Sequence, residues 1–110
     1  MWTVDYTKRF LNELASLPVE IQNRVEPLVF EELESENPFE LGYLEKLKGY
    51  TDKYKIRVGD YRIGITTDKE TQILICERIA HRKDIYRIFP KRIGDKLKLD
   101  ASRNALFTLP

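Results

Sequence analysis

The chain has a single cysteine among 110 residues. One cysteine cannot build an internal disulfide framework and leaves too few thiols for a cysteine zinc site. A reduced, cytoplasmic setting is therefore expected. No apolar run approaches the roughly 20 residues of a membrane-spanning helix, and the first residues lack a signal-peptide pattern, so no membrane association is expected. No internal repeat, low-complexity tract or glycine-rich phosphate loop is present. Carboxylates and histidine do not occur together at metal-ligand spacing, so neither a metal site nor a cofactor is expected. What remains is a chain of one-domain size, 42% apolar and 34% charged, long enough to bury a core without staples.

The formal charge of +1 hides an asymmetry. Residues 1–45 carry ten acidic groups against three basic ones (Lys8, Arg9, Arg24), while residues 46–110 carry sixteen basic and eight acidic. A C-terminal part at +8 points to an anionic partner; two oppositely charged, solvated surfaces would give the same totals.

Trp2, Val4 and Tyr6 alternate with Thr3 and Asp5, a short strand signal. Thr7 can cap a following helix whose apolar stripe is Phe10, Leu11, Leu14 and Leu17. Pro18 suits the first turn of a second helix, with Ile21, Val25, Leu28 and Val29 as its buried face. Pro27 falls inside that pattern, so a kink or break is expected near Glu26. The pattern then resumes through Phe30 and Leu33 and stops before Asn37-Pro38. The glutamates of this part, Glu13 among them, read as a solvated face. Residues 37–49 read as a loop.

The stretch Lys46 to Pro90 holds most of the basic residues that could do chemistry. Tyr54, Ile56 and Val58 share one face of a strand, Lys55 and Arg57 the other. Gly59-Asp60 is a two-residue hairpin turn with glycine first. Tyr61, Ile63 and Ile65 repeat the apolar phase on the return strand, placing Arg62, Gly64 and Thr66 opposite. Lys55, Arg57 and Arg62 thus gather on one open face, where like charges destabilise a sheet unless they are splayed or bind an anion. Gly64 on that face either leaves room for a ligand or marks a bulge. Residues 73–79 read as a central strand buried on both faces. Residues 80–89 read as a short helix or a turn with Ile85, Ile88 and Phe89 inward. Cys76, in the apolar strand, reads as core.

The motifs K-L-K-G at 46–49, Y-K-I-R at 54–57, G-D-Y-R at 59–62 and H-R-K-D-I-Y-R at 81–87 together resemble the RelE toxins of the RelE/ParE superfamily. Each piece alone is weak; their combination over about residues 1–90 is specific. The resemblance implies an α+β fold: an N-terminal strand, a helical hairpin, then a mainly antiparallel sheet with a short C-terminal helix (β-α-α-β-β-β). It implies one toxin domain over residues 1–90, with 91–110 as a C-terminal extension. It further implies a ribosome-dependent endoribonuclease that cuts mRNA in the decoding site, restrained by a RelB-like antitoxin. Carried over by position, Lys55 and Arg57 match the family's basic pair on one strand, Arg62 the arginine of the next, and Arg82 and Tyr86 the arginine and tyrosine near the C-terminal end. Arg57 stands where the best-studied members have lysine.

Such cleavage attacks a phosphate with its neighbouring 2′-hydroxyl and needs a base, cations around the transition state and an acid for the leaving 5′ oxygen. Nucleases often use a histidine pair, and this chain has one histidine. A lysine among cations can serve instead, which makes Lys55 the candidate base. Arg57 and Arg62 are assigned to phosphate stabilisation, Arg82 to the leaving-group side, and Tyr86 to stacking on a base or positioning the 2′-hydroxyl. His81 is a further candidate for proton transfer. Lys46, Lys48, Lys53, Arg78, Lys83 and Arg87 are candidate RNA contacts. Two other readings stay open: a ParE-like gyrase inhibitor without nuclease chemistry, and an inactive binding scaffold. The apolar residues of the extension (Ile93, Leu97, Leu99, Leu106, Phe107, Leu109) leave docking on the domain, pairing with another chain and disorder all open.

Overall fold

Alternating apolar side chains build the centre of the molecule, a five-stranded sheet. The computed structural model describes residues 1–90; the expectations for residues 91–110 lie outside the described residues. The strands are β1 (Thr3–Tyr6), β2 (Glu45–Lys46), β3 (Lys53–Val58), β4 (Tyr61–Asp68) and β5 (Ile73–His81), in the order β1-β5-β4-β3-β2. All neighbours are antiparallel except β1, which runs parallel to β5. The fold is the expected α+β arrangement. The short edge strand β2 is an addition, found where a continuous loop was expected. Two residues are too few to carry a periodicity; pairing of Glu45 with Lys55 and Lys46 with Tyr54 creates the strand.

The helical layer covers one face. Helix α1 (Lys8–Ala15) is capped by Thr7, whose hydroxyl accepts from Phe10 N at 3.0 Å, as its position before the apolar stripe predicts. Phe10 and Leu14 are buried, but Leu11 is 40% exposed and Leu17 lies beyond the helix end, so the inward stripe is narrower than the spacing suggests. Helix α2 (Val19–Pro27) follows, with Pro18 at its N-cap. Pro27 does not break the chain direction. It keeps helical dihedrals (φ −62°, ψ −31°) and leads into a π-helical turn, Leu28–Glu32, in which Leu33 N donates to Leu28 O at 3.0 Å. A proline cannot donate to the fourth residue before it, and here a widened turn follows it directly. That turn presents the Val29 carbonyl to the Tyr6 hydroxyl at 2.6 Å and tethers β1 to the helices. Burial pushes the Tyr6 hydroxyl up to about 12, with Cys76, Glu34 and Asp5 adding to the effect.

The core between helices and sheet includes Trp2, Phe10, Val25, Val29, Leu33, Ile56, Ile63, Ile65, Leu74 and Cys76. Cys76 is fully buried, and desolvation pushes its thiol up to about 12, which makes it an inert packing residue.

Strand β5 corrects the expectation of a run buried on both faces. Leu74 and Cys76 are buried, but the next fully inward residue is Ile79, while Ile73 and Ile75 are only half-buried. The cause is a bulge. Gly64 pairs with Arg78 and Ile65 with Cys76, so Glu77 has no partner across the ladder. Unbroken alternation would have carried Arg78 into the core. Glu13 of α1 pins the bulge. One carboxylate oxygen accepts from Ile79 N at 3.0 Å, and the other accepts from Arg78 Nε and Nη2 at 3.0 and 2.7 Å. Glu13 is therefore a tertiary contact, unlike the solvated glutamates expected around it. Glu13→Ala would strand the Ile79 N–H and the Arg78 guanidinium, at a cost of about 2 kcal/mol. A thermal melt should show a drop of about 10 °C for a domain of this size.

Candidate active site

The β3–β4 hairpin lays out the cationic face. Its turn has Gly59 at φ +60°, and Asp60 is not left-handed, as a glycine-first two-residue turn requires. Arg57 stands directly across from Arg62, and Lys55 across from Gly64. Arg57 is exposed and has no ion-pair partner among the described residues. Arg62 turns back on the hairpin, with Nη1 donating to Gly59 O at 2.8 Å and Tyr61 O at 2.9 Å. That contact draws one guanidinium away from the other and tempers their cross-strand repulsion.

A second, smaller cluster lies apart from the main core: Leu47, Ile85 and Phe89 are buried, with Ala80 and Ile88 packed against them. It docks the short helix α3 (Ile85–Ile88) beside β4 and β5. Gly64 leaves no vacancy for a ligand, because the Phe89 ring occupies the space a side chain would take. The strand itself reaches His81, so of residues 80–89, expected as a short helix or a turn, 82–84 form a turn and 85–88 the helix; pairing of Ala80 with Arg62 and His81 with Tyr61 holds the first residues extended.

Docking of α3 brings Tyr86 to Lys55. Lys55 Nζ donates to the Tyr86 hydroxyl at 3.1 Å and lies 5.5 Å from the ring centroid. The Lys55 side chain retains 29% exposure, and Tyr86 is 54% exposed, so the pair faces solvent. Glu45 of β2 comes within 3.8 Å of Lys55. This carboxylate gives no signal in the sequence, because its strand is too short to show a periodicity. At the hairpin end, Arg82 N donates to Asp60 O at 2.7 Å, and Arg82 Nε lies 3.7 Å from the Asp60 carboxylate. His81 accepts from Lys83 N through Nδ1 at 3.2 Å, and its ring meets Tyr61 edge-on at 5.5 Å. Lys55, Arg57 and Arg62 thus share one face, with Tyr86 bonded to Lys55 and Arg82 at the hairpin turn, whereas His81 pairs with Tyr61 and so belongs to the opposite face.

The broader basic set is dispersed. Arg78 is committed to Glu13. Lys53 is mostly enclosed, bonded to Thr66 at 3.1 Å and Asp52 at 3.4 Å, while Thr66 in turn donates to Glu77 at 2.7 Å. Lys46 pairs with Tyr54 and so belongs to the opposite face from Lys55. Arg87 is ion-paired with Asp84 on its own turn. Lys48, between β2 and β3, and Lys83, after β5, are exposed in turns. Among the described residues, no group of three His, Cys, Asp or Glu side chains could hold a metal, and no helix is long and apolar enough to cross a membrane.

Fold and site together define a small α+β domain that backs its sheet with acidic helices and presents cations beside a docked tyrosine, an arrangement suited to an anionic polymer. Known proteins narrow this. A family model described as the ParE toxin of type II toxin–antitoxin system, parDE, matches residues 4–86. The chain is 40% identical over 87 residues to Toxin RelE3 of Methanocaldococcus jannaschii, covering 77% of this chain and 96% of the relative. Its fold matches a chain of the RelB–RelE antitoxin–toxin complex from Methanococcus jannaschii with a TM-score of 0.63 and 37% identity, over 78% of this chain and 99% of that one. The toxin–antitoxin complex RelBE2 from Mycobacterium tuberculosis gives a TM-score of 0.61 at 26% identity, over 74% and 98%. The chain belongs to the RelE/ParE superfamily, as a RelE-type toxin of a type II toxin–antitoxin system.

Proposed function

We propose that this toxin is a ribosome-dependent endoribonuclease that cuts mRNA in the decoding site without a metal, and so halts translation in the cytoplasm. The observation that carries the reading is the solvent-facing Lys55–Tyr86 pair, 3.1 Å apart, with Arg57 and Arg62 on the neighbouring positions of the same face. In this reading Lys55 takes the 2′ proton. The 2′ oxygen bonds to phosphorus, the bond to the 5′ oxygen breaks, and the departing oxygen, its charge steadied by Arg82, takes a proton from water. Products are a cyclic phosphate and a free 5′-hydroxyl. Arg57 and Arg62 steady the charge that builds on the phosphate. Tyr86, held by Lys55, supports a base by stacking or orients the 2′-hydroxyl. His81, next to Arg82 in sequence but with its ring against Tyr61, is the further candidate for proton transfer at that end. Lys46, Lys48, Lys83 and Arg87 contact ribosomal or messenger RNA from exposed positions; Lys53 and Arg78, already paired within the protein, contribute charge rather than direct grip.

A RelB-like antitoxin is the partner in this reading. Both solved structures described above are complexes of a toxin with its antitoxin. An acidic, amphipathic segment would suit the cationic face beside α3.

Primer extension on a defined mRNA in a reconstituted translation system tests the proposal. Discrete, ribosome-dependent cuts that vanish with Arg82→Ala are expected. An uncut message with translation continuing would overturn it and move attention to gyrase, where a supercoiling assay decides.

A further inference from the structure

Gly64 is buried in the middle of β4 and has no left-handed dihedral to explain a glycine. Its reason is space. A Cβ there would come within 3.0 Å of three Phe89 ring atoms. Phe89 directly follows α3, with its N–H bonded to Ile85 O at 2.8 Å, and it is 4% exposed. A helix as short as α3, four residues, has no stability of its own. Its position is set by what it docks with, and that is the separate cluster of Leu47, Ile85 and Phe89. Tyr86 lies on α3 between two of those anchors and reaches Lys55, the residue directly across the ladder from Gly64. Notch, plug and polar pair therefore sit in one short span of the hairpin.

We propose that Gly64 and Phe89 are positioning residues: the Phe89 ring, seated in the notch left by Gly64, sets the height of α3 over the sheet and so holds the Tyr86 hydroxyl on Lys55. The inference rests on the nuclease reading for its activity readout only. Adding one methyl group at position 64 expels the ring, lifts α3 and parts Tyr86 from Lys55. The main core, which lies on the other side of the sheet, is untouched.

The test uses the full-length toxin with carbon-13 at the tyrosine ring carbon bearing the hydroxyl. The Tyr86 signal is assigned by its loss in Tyr86→Phe. Lys55→Met should shift that signal, and Gly64→Ala should shift it in the same way while the other tyrosines stay in place. Phe89→Leu, which underfills the notch without adding a clash, should do likewise. In single-turnover cleavage on the ribosome, Gly64→Ala should lower the rate about 100-fold with ribosome affinity unchanged. In a Tyr86→Ala background the same change should cost less than about twofold, because residues acting through one another are non-additive. A native Tyr86 signal in both Gly64→Ala and Phe89→Leu would overturn the proposal. So would an equal loss of rate in the presence and absence of Tyr86. If the native protein does not cleave, the nuclease reading falls, and the tyrosine signal alone decides the positioning claim.

Discussion

Lys55→Met should lower ribosome-dependent cleavage by about 10²- to 10⁴-fold, the range for loss of a positioned general base, with the melting temperature nearly unchanged. Methionine keeps much of the apolar stem of lysine, so the strand loses little packing. The hydrogen bond to Tyr86 and the 3.8 Å ion pair with Glu45 are solvent-facing, and exposed pairs of this kind stabilise a fold by less than about 1 kcal/mol. Lys55→Arg separates the two roles a cation can play here. Arginine preserves the charge but stays protonated. If Lys55 takes the 2′ proton, Lys55→Arg is as inactive as Lys55→Met in single-turnover cleavage on the ribosome. If its task is electrostatic, Lys55→Arg retains most of the rate, and the base must be sought elsewhere, with His81 the first candidate.

Phe10→Ala should destabilise the domain by about 4 kcal/mol, the usual cost of emptying a buried phenylalanine site. Phe10 is wholly buried in α1, and its ring stacks at 6.1 Å from that of Tyr6. A domain of this size holds about 5–15 kcal/mol in total, so one such change consumes a large share. Urea unfolding measures it: the midpoint should move sharply while the slope stays the same. The consequence for function is practical. A cell growing normally while expressing Phe10→Ala reports a destabilised toxin, whereas one expressing Lys55→Met reports a folded and inactive one. Loss of toxicity alone does not locate an active site.

The Thr7 cap and the alternation through the hairpin are legible because each is a local pattern, complete within a few residues. The same alternation suffices to place Lys55, Arg57 and Arg62 on one face, because a two-residue turn leaves no freedom of register. Glu13 misleads for the opposite reason. On its own helix it is one exposed glutamate among several. Its role appears only because residues 65 and 66 positions further on, Arg78 and Ile79, arrive beside it. Gly64 allows two readings in the sequence, room for a ligand or a bulge. The structure shows a bulge in β5 at that register and a phenylalanine filling the room.

By itself, then, the sequence determined the succession of elements, the hairpin with its charged face, and the kinship written in its motifs, since these depend on periodicity, turn chemistry and residue identity along the chain. Tertiary structure alone decided which cations share a site. Arg78 and Lys53 look no different from Lys55 in the sequence, yet Glu13 and Thr66 claim the first two. Tyr86 reaches Lys55 only because Phe89 finds a glycine to sit against. Burial and pairing between distant segments set those distances, and no local pattern encodes them.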